Sequence, residues 1–385
     1  MSLMGAFTSL SRDLKLLFLS NFLWTSAYGL YVFIFPLYMR DLGAAPDQVG
    51  LAYTISLVIA AACLLPGGLI ADRFDRKWVQ VASLALNVPV PLLFTLASSW
   101  VQLLPSMFLF WASIFGTPAF NSYITGAASG ESMMTSFAAV YSALFFGMAV
   151  SPAVGGYLLA IDPSYHLLFY VAALLYAGAA AVILFIGSQK SSRQAKPERF
   201  FSAFRERSLL AWLLLLGVAA FAYNLSTYFV PLLLSDRDAF DPVFVQAMGS
   251  LRFLGAAVLG IVLGRLGDTR RSRWPVTLSF TTFILALILL ATQGLPPLVA
   301  VSMFLLGAGD TYRMLGYAVV GPRLPDEVRG RSFSVYDTVQ TFTASFGPYL
   351  GGFLYTWAYA LPLAATAAIF AALTLLLLTA FRLTR

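Results

Sequence analysis

The sequence predicts an all-α integral membrane protein with twelve transmembrane helices arranged as two six-helix halves. Three observations support this class. The chain is 59% hydrophobic and 11% charged, whereas soluble domains have about 25% charged residues. Twelve apolar stretches have about the 20 residues that a helix needs to cross a bilayer. Features of the first half also recur in the second half at an offset of 195 or 196 residues.

The twelve predicted spans are numbered here in chain order. They are 14–38, 48–70, 78–98, 101–125, 134–160, 165–187, 208–234, 243–265, 274–294, 296–319, 331–356 and 359–381. The polar segment 188–207 is predicted to link the two halves, residues 1–187 and 208–385. A segment of about 20 residues cannot bury a core, which excludes a separate domain there.

Basic residues concentrate on one side of this topology. Twenty of the 24 Lys and Arg lie in the termini, the linker and the loops after spans 2, 8 and 10, whereas the opposite side holds only Arg40 and Arg237. The positive-inside rule therefore predicts that both termini and the linker are cytoplasmic, in a cell membrane. Topology explains the net charge of +7, so no nucleic-acid partner is expected.

The composition also excludes several kinds of site. Cys63 and His166 are the only cysteine and histidine, too few for a disulfide, a zinc site or an iron–sulfur cluster. No glycine-rich loop is followed by the Gly-Lys-Ser/Thr of a nucleotide site, and no catalytic triad stands out. We therefore expect neither an enzyme nor a bound cofactor. A monomer is the default.

The internal repeat involves four separate regions of the chain. The matched positions are Tyr28 and Pro36 in span 1 with Tyr223 and Pro231 in span 7, Asp72 with Asp268, Glu131 with Glu327, and Pro152 with Pro348. Chance could give one such match between apolar helices, but not four at nearly one offset. Because each half has six spans, the halves run in the same sense and are related by an axis along the membrane normal.

The loop after span 2 provides a family resemblance. Its run from Gly68 through Asp72 and Arg73 to Arg76 and Lys77 resembles the signature of the major facilitator superfamily of secondary transporters. Asp75 stands where that family usually has a second glycine. The resemblance covers essentially the whole chain. The run from Gly147 to Gly156 is similar to the span 5 signature of the drug:proton antiporter branch, with Ser151 replacing a glycine.

The resemblance implies a cytoplasmic gate. Its residues would be Gly68, Asp72, Arg73, Arg76 and Lys77 in the first half and Asp268, Arg270 and Arg271 in the second. Asp72 would accept hydrogen bonds from the N-terminus of span 11 in one state, and Asp268 would do the same at span 5. The alternative is that these charges only anchor the loops in the cytoplasm.

Paired glycine and proline runs in spans 5 and 11 could act as helix hinges. They comprise Gly147, Pro152, Gly155 and Gly156, and Gly347, Pro348, Gly351 and Gly352. Proline removes a helix hydrogen bond and glycine allows close approach between helices. Close packing alone is the alternative interpretation.

Four charged residues lie well inside predicted spans, away from the span ends, and all are in the second half: Arg252, Asp310, Arg313 and Asp337. A charge at the bilayer centre costs about 2.5–3.5 kcal/mol, so each needs a partner or a wet cavity. From the helical rise, Asp310 lies about 15 Å from the cytoplasmic end and Arg252 about 21 Å, so the two can meet. Asp310 could instead pair with Arg313 three residues later, and Asp337 could pair with Arg313.

These charges have a functional and a structural interpretation. The functional one makes Asp310, or secondly Asp337, the proton-coupling acid, with Arg252 and Arg313 binding substrate. The structural one is a set of ion pairs that tie three helices together. The first half has neither the arginine in span 4 nor the acid in span 1 that the resemblance would imply. Its predicted lining residues are Asn21, Trp24, Tyr28, Asn121 and Tyr123, which suit an aromatic or amphipathic molecule.

The resemblance and the charges together predict a proton-driven exporter of small organic molecules that works by alternating access. Its partners would be the substrate, protons and the lipid bilayer. A proton-coupled importer of an organic anion is one alternative. A receptor or scaffold that keeps a transporter fold without transporting is another. The substrate does not follow from the sequence, because one fold serves many substrates.

Overall fold

The structure is a computed structural model that describes residues 10–128, 133–190, 207–269, 273–292, 294–312, 314–316 and 329–379. Its secondary structure in these ranges consists of α-helices and two short 3-10 helices. The predicted all-α class is therefore confirmed.

The described residues of the first half form nine α-helices. They are α1 (Arg12–Gly29), α2 (Phe35–Asp41), α3 (Pro46–Arg73), α4 (Arg76–Asn87), α5 (Pro89–Thr95), α6 (Leu104–Ala112), α7 (Thr117–Ala127), α8 (Met133–Ile161) and α9 (His166–Ile183). The 3-10 helices Trp100–Leu103 and Ser113–Gly116 flank α6. In the second half the described residues form α10 (Arg207–Thr227), α11 (Val230–Asp236), α12 (Pro242–Thr269), α13 (Arg273–Thr292), α14 (Pro296–Asp310), α15 (Arg329–Trp357) and α16 (Leu361–Thr379).

Several predicted spans are broken rather than continuous. Span 1 consists of α1 and α2, and span 7 consists of α10 and α11. Pro36 and Pro231 lie in the first turn of the second piece in each case. A proline fits there because the first turn has no intrahelical partner for its missing N–H, so each proline starts a new helix. Proline likewise starts α5, α6 and α7.

The helix bounds repeat at the offset seen in the sequence. α2 and α11 both have seven residues, at an offset of 195. α3 and α12 both have 28 residues, and α8 and α15 both have 29, at an offset of 196. The duplication therefore extends from single residues to whole helices.

Ten stretches of the described chain are helical, long and apolar enough to cross a membrane. They correspond to all predicted spans except 1 and 11. Span 1 is interrupted between Gly29 and Phe35. α15 carries several polar and charged residues and has no stretch that meets the same standard, although it is 29 residues long. The count of twelve spans stays a prediction.

The chain groups into two compact units. The first comprises residues 1–32 and 59–196, and the second comprises residues 33–58 and 197–385. Thus α2 and the start of α3 pack with the second half of the sequence. We call the helix ends that adjoin the linker the linker side, and the ends near Arg40 and Asp236 the opposite side.

The glycine and proline runs lie in α8 and α15, which continue through Pro152 and Pro348. In the first unit, a Cβ added to Gly147 would lie 2.3 Å from Oγ1 of Thr25 in α1. In the second unit, a Cβ added to Gly351 would lie 1.9 Å from the carbonyl oxygen of Leu225 in α10. These glycines allow α8 to pack closely on α1 and α15 on α10. Their predicted role as hinges stays a prediction.

Candidate functional site

A buried ionic cluster joins three helices of the second unit. Nε of Arg252 in α12 donates to Oδ2 of Asp310 in α14 at 2.9 Å, and Nη2 donates to Oδ1 at 2.9 Å. The hydroxyl of Tyr223 in α10 donates to Oδ1 of Asp310 and accepts from Nη2 of Arg252. The Arg252 side chain is 9% exposed and that of Asp310 18%. A two-pronged pair of this kind fixes orientation as well as distance.

Close helix packing brings the ion pair together. A Cβ added to Gly255 would lie 1.9 Å from the carbonyl oxygen of Phe304, and one added to Gly307 would lie 2.5 Å from that of Arg252. Gly255 follows Arg252 by three residues in α12, and Gly307 precedes Asp310 by three residues in α14. Residues three apart lie on the same helix face. The missing side chains therefore let the two backbones meet one turn away from the charges.

Aromatic rings surround the cluster. The ring of Tyr223 lies 5.8 Å from that of Phe283 and 5.5 Å from that of Tyr312, between ring centroids. Cζ of Arg252 lies 5.7 Å from the ring centroids of both Tyr223 and Phe253. A guanidinium over aromatic faces is favoured where water is scarce. The cation therefore has ring contacts in addition to its carboxylate.

The structure shows one of the two pairings that the sequence left open for Asp310. The pairing of Arg252 with Asp310 is confirmed. Arg313, the alternative partner, lies outside the described residues. Asp337 is half-buried within α15, and its pairing with Arg313 stays a prediction for the same reason.

Sequence reasoning missed Tyr223 as a member of the cluster. A signal for it existed, because Tyr223 is the repeat partner of Tyr28, which was selected as a lining residue. Gly255 and Gly307 were also missed. Single glycines in apolar helices are common, and only the structure shows that these two face each other's helix.

At the equivalent place in the first unit, the partner of the tyrosine is aromatic instead of charged. The rings of Tyr28 and Phe110 are stacked at 5.1 Å, and Trp24 stacks on both at 5.8 Å and 6.0 Å. Trp24 and Tyr28 are half-buried. The structure thus brings together two of the predicted lining residues and adds Phe110.

The other predicted lining residues bond within the first unit. Nδ2 of Asn21 donates to the carbonyl oxygen of Val140 at 3.4 Å, and Oδ1 of Asn121 accepts from the Tyr141 hydroxyl at 2.6 Å. Both asparagines are half-buried. They link α1 and α7 to α8.

Tyr123 lies at the linker side rather than beside the Trp24 stack. It is buried, and its hydroxyl donates to Oδ2 of Asp13 at 2.7 Å and to the carbonyl oxygen of Gly187 at 2.8 Å. Asp13 also accepts from the Gly187 N–H at 3.0 Å. These bonds give Tyr123 a structural role at the end of α9, and its predicted contact with substrate stays a prediction.

The predicted gate residues of the first half lie at the end of α3 and the start of α4. Asp72 and Arg73 are exposed, and a Cβ added to Gly68 would meet no atom within 4 Å. Nζ of Lys77 lies 5.4 Å from the Trp78 ring. In the second half, the Asp268 side chain, Arg270 and Arg271 lie outside the described residues. The gate itself stays a prediction.

Asp75, the departure from the family signature, has a definite role. It caps α4 by accepting from the Lys77 N–H at 2.9 Å. Its carboxylate also accepts from the hydroxyl of Ser188 and from the N–H of Gln189 at 3.2 Å. Burial opposes ionisation of Asp75, but these hydrogen bonds outweigh it and lower its pKa. Glycine could make none of the side-chain bonds.

Arg76, a predicted gate residue, also contacts the start of the linker. Its N–H donates to the carbonyl oxygen of Gln189 at 3.0 Å. Its Nη1 donates to Oε1 of Gln189 at 2.6 Å and to the carbonyl oxygen of Ser122 at 3.0 Å. We call Asp75, Arg76 and residues 187–189 the linker junction.

Within the described ranges, no group of three or more His, Cys, Asp or Glu side chains could hold a metal ion. The chemistry available at the described site is therefore that of one carboxylate, one guanidinium and one phenol.

Comparison with known proteins gives a family and relatives. A family model described as the Major Facilitator Superfamily matches residues 17–241 and 237–385. The chain is 22% identical over 270 residues to the quinolone resistance protein NorA of Staphylococcus aureus (strain MSSA476), covering 65% of each chain. It is 24% identical over 364 residues to the multidrug resistance protein MdtG of Serratia proteamaculans (strain 568), covering 88% of this chain and 86% of MdtG.

A solved structure with a similar fold is that of the nucleoside transporter NupG. Its TM-score is 0.77 at 17% sequence identity, over 97% of this chain and 98% of that one. Identity at this level is informative about the fold alone. The neighbour named for nucleosides therefore shares its fold with this chain.

Proposed function

Because the chain belongs to the major facilitator superfamily, we propose that it is a secondary transporter that exports a small organic molecule in exchange for protons. Alternating access in the cytoplasmic membrane would move the cargo. Its similarity to NorA and MdtG, both named for drug resistance, supports export. The twelve-span topology, with both termini and the linker in the cytoplasm, is part of the proposal, as are the monomeric state and the absence of a cofactor.

The observation that carries the proton coupling is the buried bond between Arg252 and Asp310. Both carboxylate oxygens accept from the same guanidinium at 2.9 Å. A proton and Arg252 therefore compete for one acid. Protonation of Asp310 would release Arg252 and loosen α12 from α14, and deprotonation would restore the pair. A switch of this kind has two states that differ in contacts, as coupling requires.

The cargo would bind against the aromatic stack of Trp24, Tyr28 and Phe110. Planar rings favour aromatic or amphipathic molecules through stacking and burial of apolar area. The nearest rings lie 5.1–6.0 Å apart, and Trp24 and Tyr28 keep part of their surface exposed. In this proposal, cargo recognition in the first half is separate from proton chemistry in the second.

The proposal can be tested in proteoliposomes with an imposed pH gradient and a screen of fluorescent aromatic compounds. We expect substrate to move against the proton flow. Asp310→Asn should abolish gradient-driven transport and leave substrate exchange between the two sides. Asp241→Asn is the matched control, because Asp241 is exposed and accepts from the Phe244 N–H at the start of α12, a capping bond that asparagine can also make. Full driven transport by the Asp310→Asn protein would refute Asp310 as the proton carrier.

A second candidate is a proton-coupled importer of an organic anion. The observation that favours it is that protonation of Asp310 would leave the Arg252 guanidinium free to bind a carboxylate in an aromatic setting. Substrate and protons would then move in the same direction across the same proteoliposomes. The sign of the coupling separates the two candidates.

A further inference from the structure

Two buried tyrosines lie behind the aromatic stack of the first unit. The hydroxyls of Tyr31 and Tyr176 share a hydrogen bond at 2.9 Å, and the two residues are 4% and 0% exposed. Tyr31 follows the end of α1 at Gly29, and Tyr176 lies within α9. We call these two residues the hydroxyl pair. Their bond ties the end of α1 to α9.

Each member of the hydroxyl pair contacts a different part of the stack. The Tyr176 ring lies 6.3 Å from that of Trp24 and 6.5 Å from that of Phe110, between centroids. The Tyr31 ring meets the Tyr28 ring edge to face at 5.8 Å. One hydrogen bond therefore joins two rings that together contact all three members of the stack.

Tyr31 depends on side-chain contacts for its position. It lies in the turn between α1 and α2, where its N–H donates to the carbonyl oxygen of Tyr28, three residues earlier, at 3.2 Å. Its ring packs edge to face against the rings of Phe94 and Phe169 at 5.9 Å and 5.8 Å. These rings confine Tyr31 from the side. The bond to Tyr176 fixes where the phenol points, because hydrogen bonds are directional.

The internal repeat shows that this support belongs to the first half. At the offset of 195, the residue equivalent to Tyr31 is Ser226, which has no ring to place against Tyr223. Tyr223 bonds Arg252 and Asp310 instead. The two tyrosines related by the repeat are therefore supported differently, by a second phenol in one half and by an ion pair in the other.

We propose that the hydroxyl pair positions the aromatic stack for its cargo and thereby determines cargo affinity. Aromatic contacts depend on ring orientation as well as on buried area. Rings that are already held in the bound orientation also reduce the entropy lost when cargo binds. Under the proposed function, on which this role rests, Trp24, Tyr28 and Phe110 touch the cargo, and Tyr31 and Tyr176 act through them.

Fluorine NMR tests the positioning without any cargo. The seven tryptophans are replaced by 5-fluorotryptophan in the full-length protein in detergent, and Trp24→Phe identifies the Trp24 resonance by its loss. Tyr31→Phe and Tyr176→Phe keep both rings and remove the hydroxyl bond. Each should shift or broaden the Trp24 resonance. Tyr31→Phe is the sharper variant, because the Tyr31 hydroxyl acts on Trp24 through Tyr176.

Ser20→Ala is the matched control. The Ser20 hydroxyl is buried and donates to the Ala179 carbonyl oxygen at 2.9 Å, so it also joins α1 to α9 through one hydrogen bond. Its loss should leave the Trp24 resonance unchanged. The double variant, Tyr31→Phe with Tyr176→Phe, should move the resonance no further than either single variant, because the two hydroxyls act through one bond.

The proteoliposome assay tests the consequence for cargo. Both single variants should raise KM for the transported aromatic compound by about two- to tenfold, the range that one aromatic contact supports. Their kcat should stay within about twofold of the parent, as expected when binding is weakened and the transport step is not. Ser20→Ala should keep the KM of the parent protein.

An unchanged Trp24 resonance in either tyrosine variant would overturn the proposal, as would an equal shift in the Ser20→Ala protein or additive shifts in the double variant. A parent-like KM in both tyrosine variants would overturn it as well. If the resonance moves as expected while no aromatic compound is transported, the hydroxyl pair still positions the stack, and the proposed function is what fails.

Discussion

Removing one charge of the Arg252–Asp310 pair should destabilise the protein far more than removing both. The Arg252 side chain is 9% exposed, and in Asp310→Asn it loses its counter-charge. Breaking a buried pair in this way costs about 3–5 kcal/mol, whereas replacing both partners is often neutral. Arg252→Met combined with Asp310→Asn should therefore recover most of the loss. The amide can still accept from Tyr223.

The assay is a double-mutant cycle on the purified protein in detergent. The four proteins are heated, and the fraction that stays monodisperse is followed by size-exclusion chromatography. We expect Arg252→Met and Asp310→Asn each to melt well below the parent protein and the double variant to melt close to it. Asp241→Asn, with its exposed carboxylate, should melt with the parent.

Additive single effects would refute the reasoning, because independent residues show no coupling energy. A fully stable Asp310→Asn protein would refute it as well, since the charge could not then be buried and paired. The cycle also protects the transport test. If the double variant folds but no longer couples transport to the proton gradient, the two charges have a functional role. If it transports normally, their role is structural alone.

Three further outcomes are expected. Tyr223→Phe should leave one hydrogen-bond position of the buried Asp310 carboxylate unfilled. The stability lost in the same melting assay should be about 1–3 kcal/mol, less than for the charge deletion. An equal loss would mean that the phenol, and not the charge, holds the cluster. Gly307→Ala should reduce the folded yield, because the added Cβ would lie 2.1 Å from a backbone nitrogen of α12. In Gly68→Ala the added Cβ meets no atom within 4 Å, and helix propensity should stabilise the protein by up to about 1 kcal/mol. Equal behaviour of the two variants would contradict the close packing. Asp75→Gly should speed hydrogen exchange of the Gln189 amide, measured by mass spectrometry, while Asp72→Gly should not; unchanged exchange would mean that the backbone alone holds the linker junction.

Much of the architecture could be predicted because membrane-spanning helices are recognised in a sequence by their length and hydrophobicity. The repeat was visible from Pro36 and Pro231, and the structure extends it to helix bounds. The helix breaks in spans 1 and 7 were not predicted, although a proline in a long apolar run indicates a break. A hydropathy count treats proline as a mildly apolar residue and ignores its missing N–H.

The candidate site was predictable in its charges but not in its full membership. Because the rise per residue of a helix is fixed, the sequence gives the depth of each residue in the membrane, and these depths allowed Arg252 and Asp310 to pair. Tyr223 has no charge, and one tyrosine among 18 carries no special signal without the repeat. The role of Asp75 could not be predicted either, because one of its hydrogen-bond partners, Ser188, lies 113 residues later in the chain. Long-range partners of loop residues depend on the folded arrangement.

The two tyrosines related by the repeat have different partners, and this difference bears on where the membrane potential acts. Tyr28 contacts a ring and Tyr223 a carboxylate. The four charged residues that are predicted well inside spans, away from the span ends, all belong to the second half. The membrane potential does work of about 2.3 kcal/mol per elementary charge per 100 mV, and only where charge moves. In the proposed cycle the voltage therefore acts on the second half, while the aromatic half binds cargo without sensing it. A neutral cargo and a charged one would then differ in voltage dependence through the cargo's own charge alone.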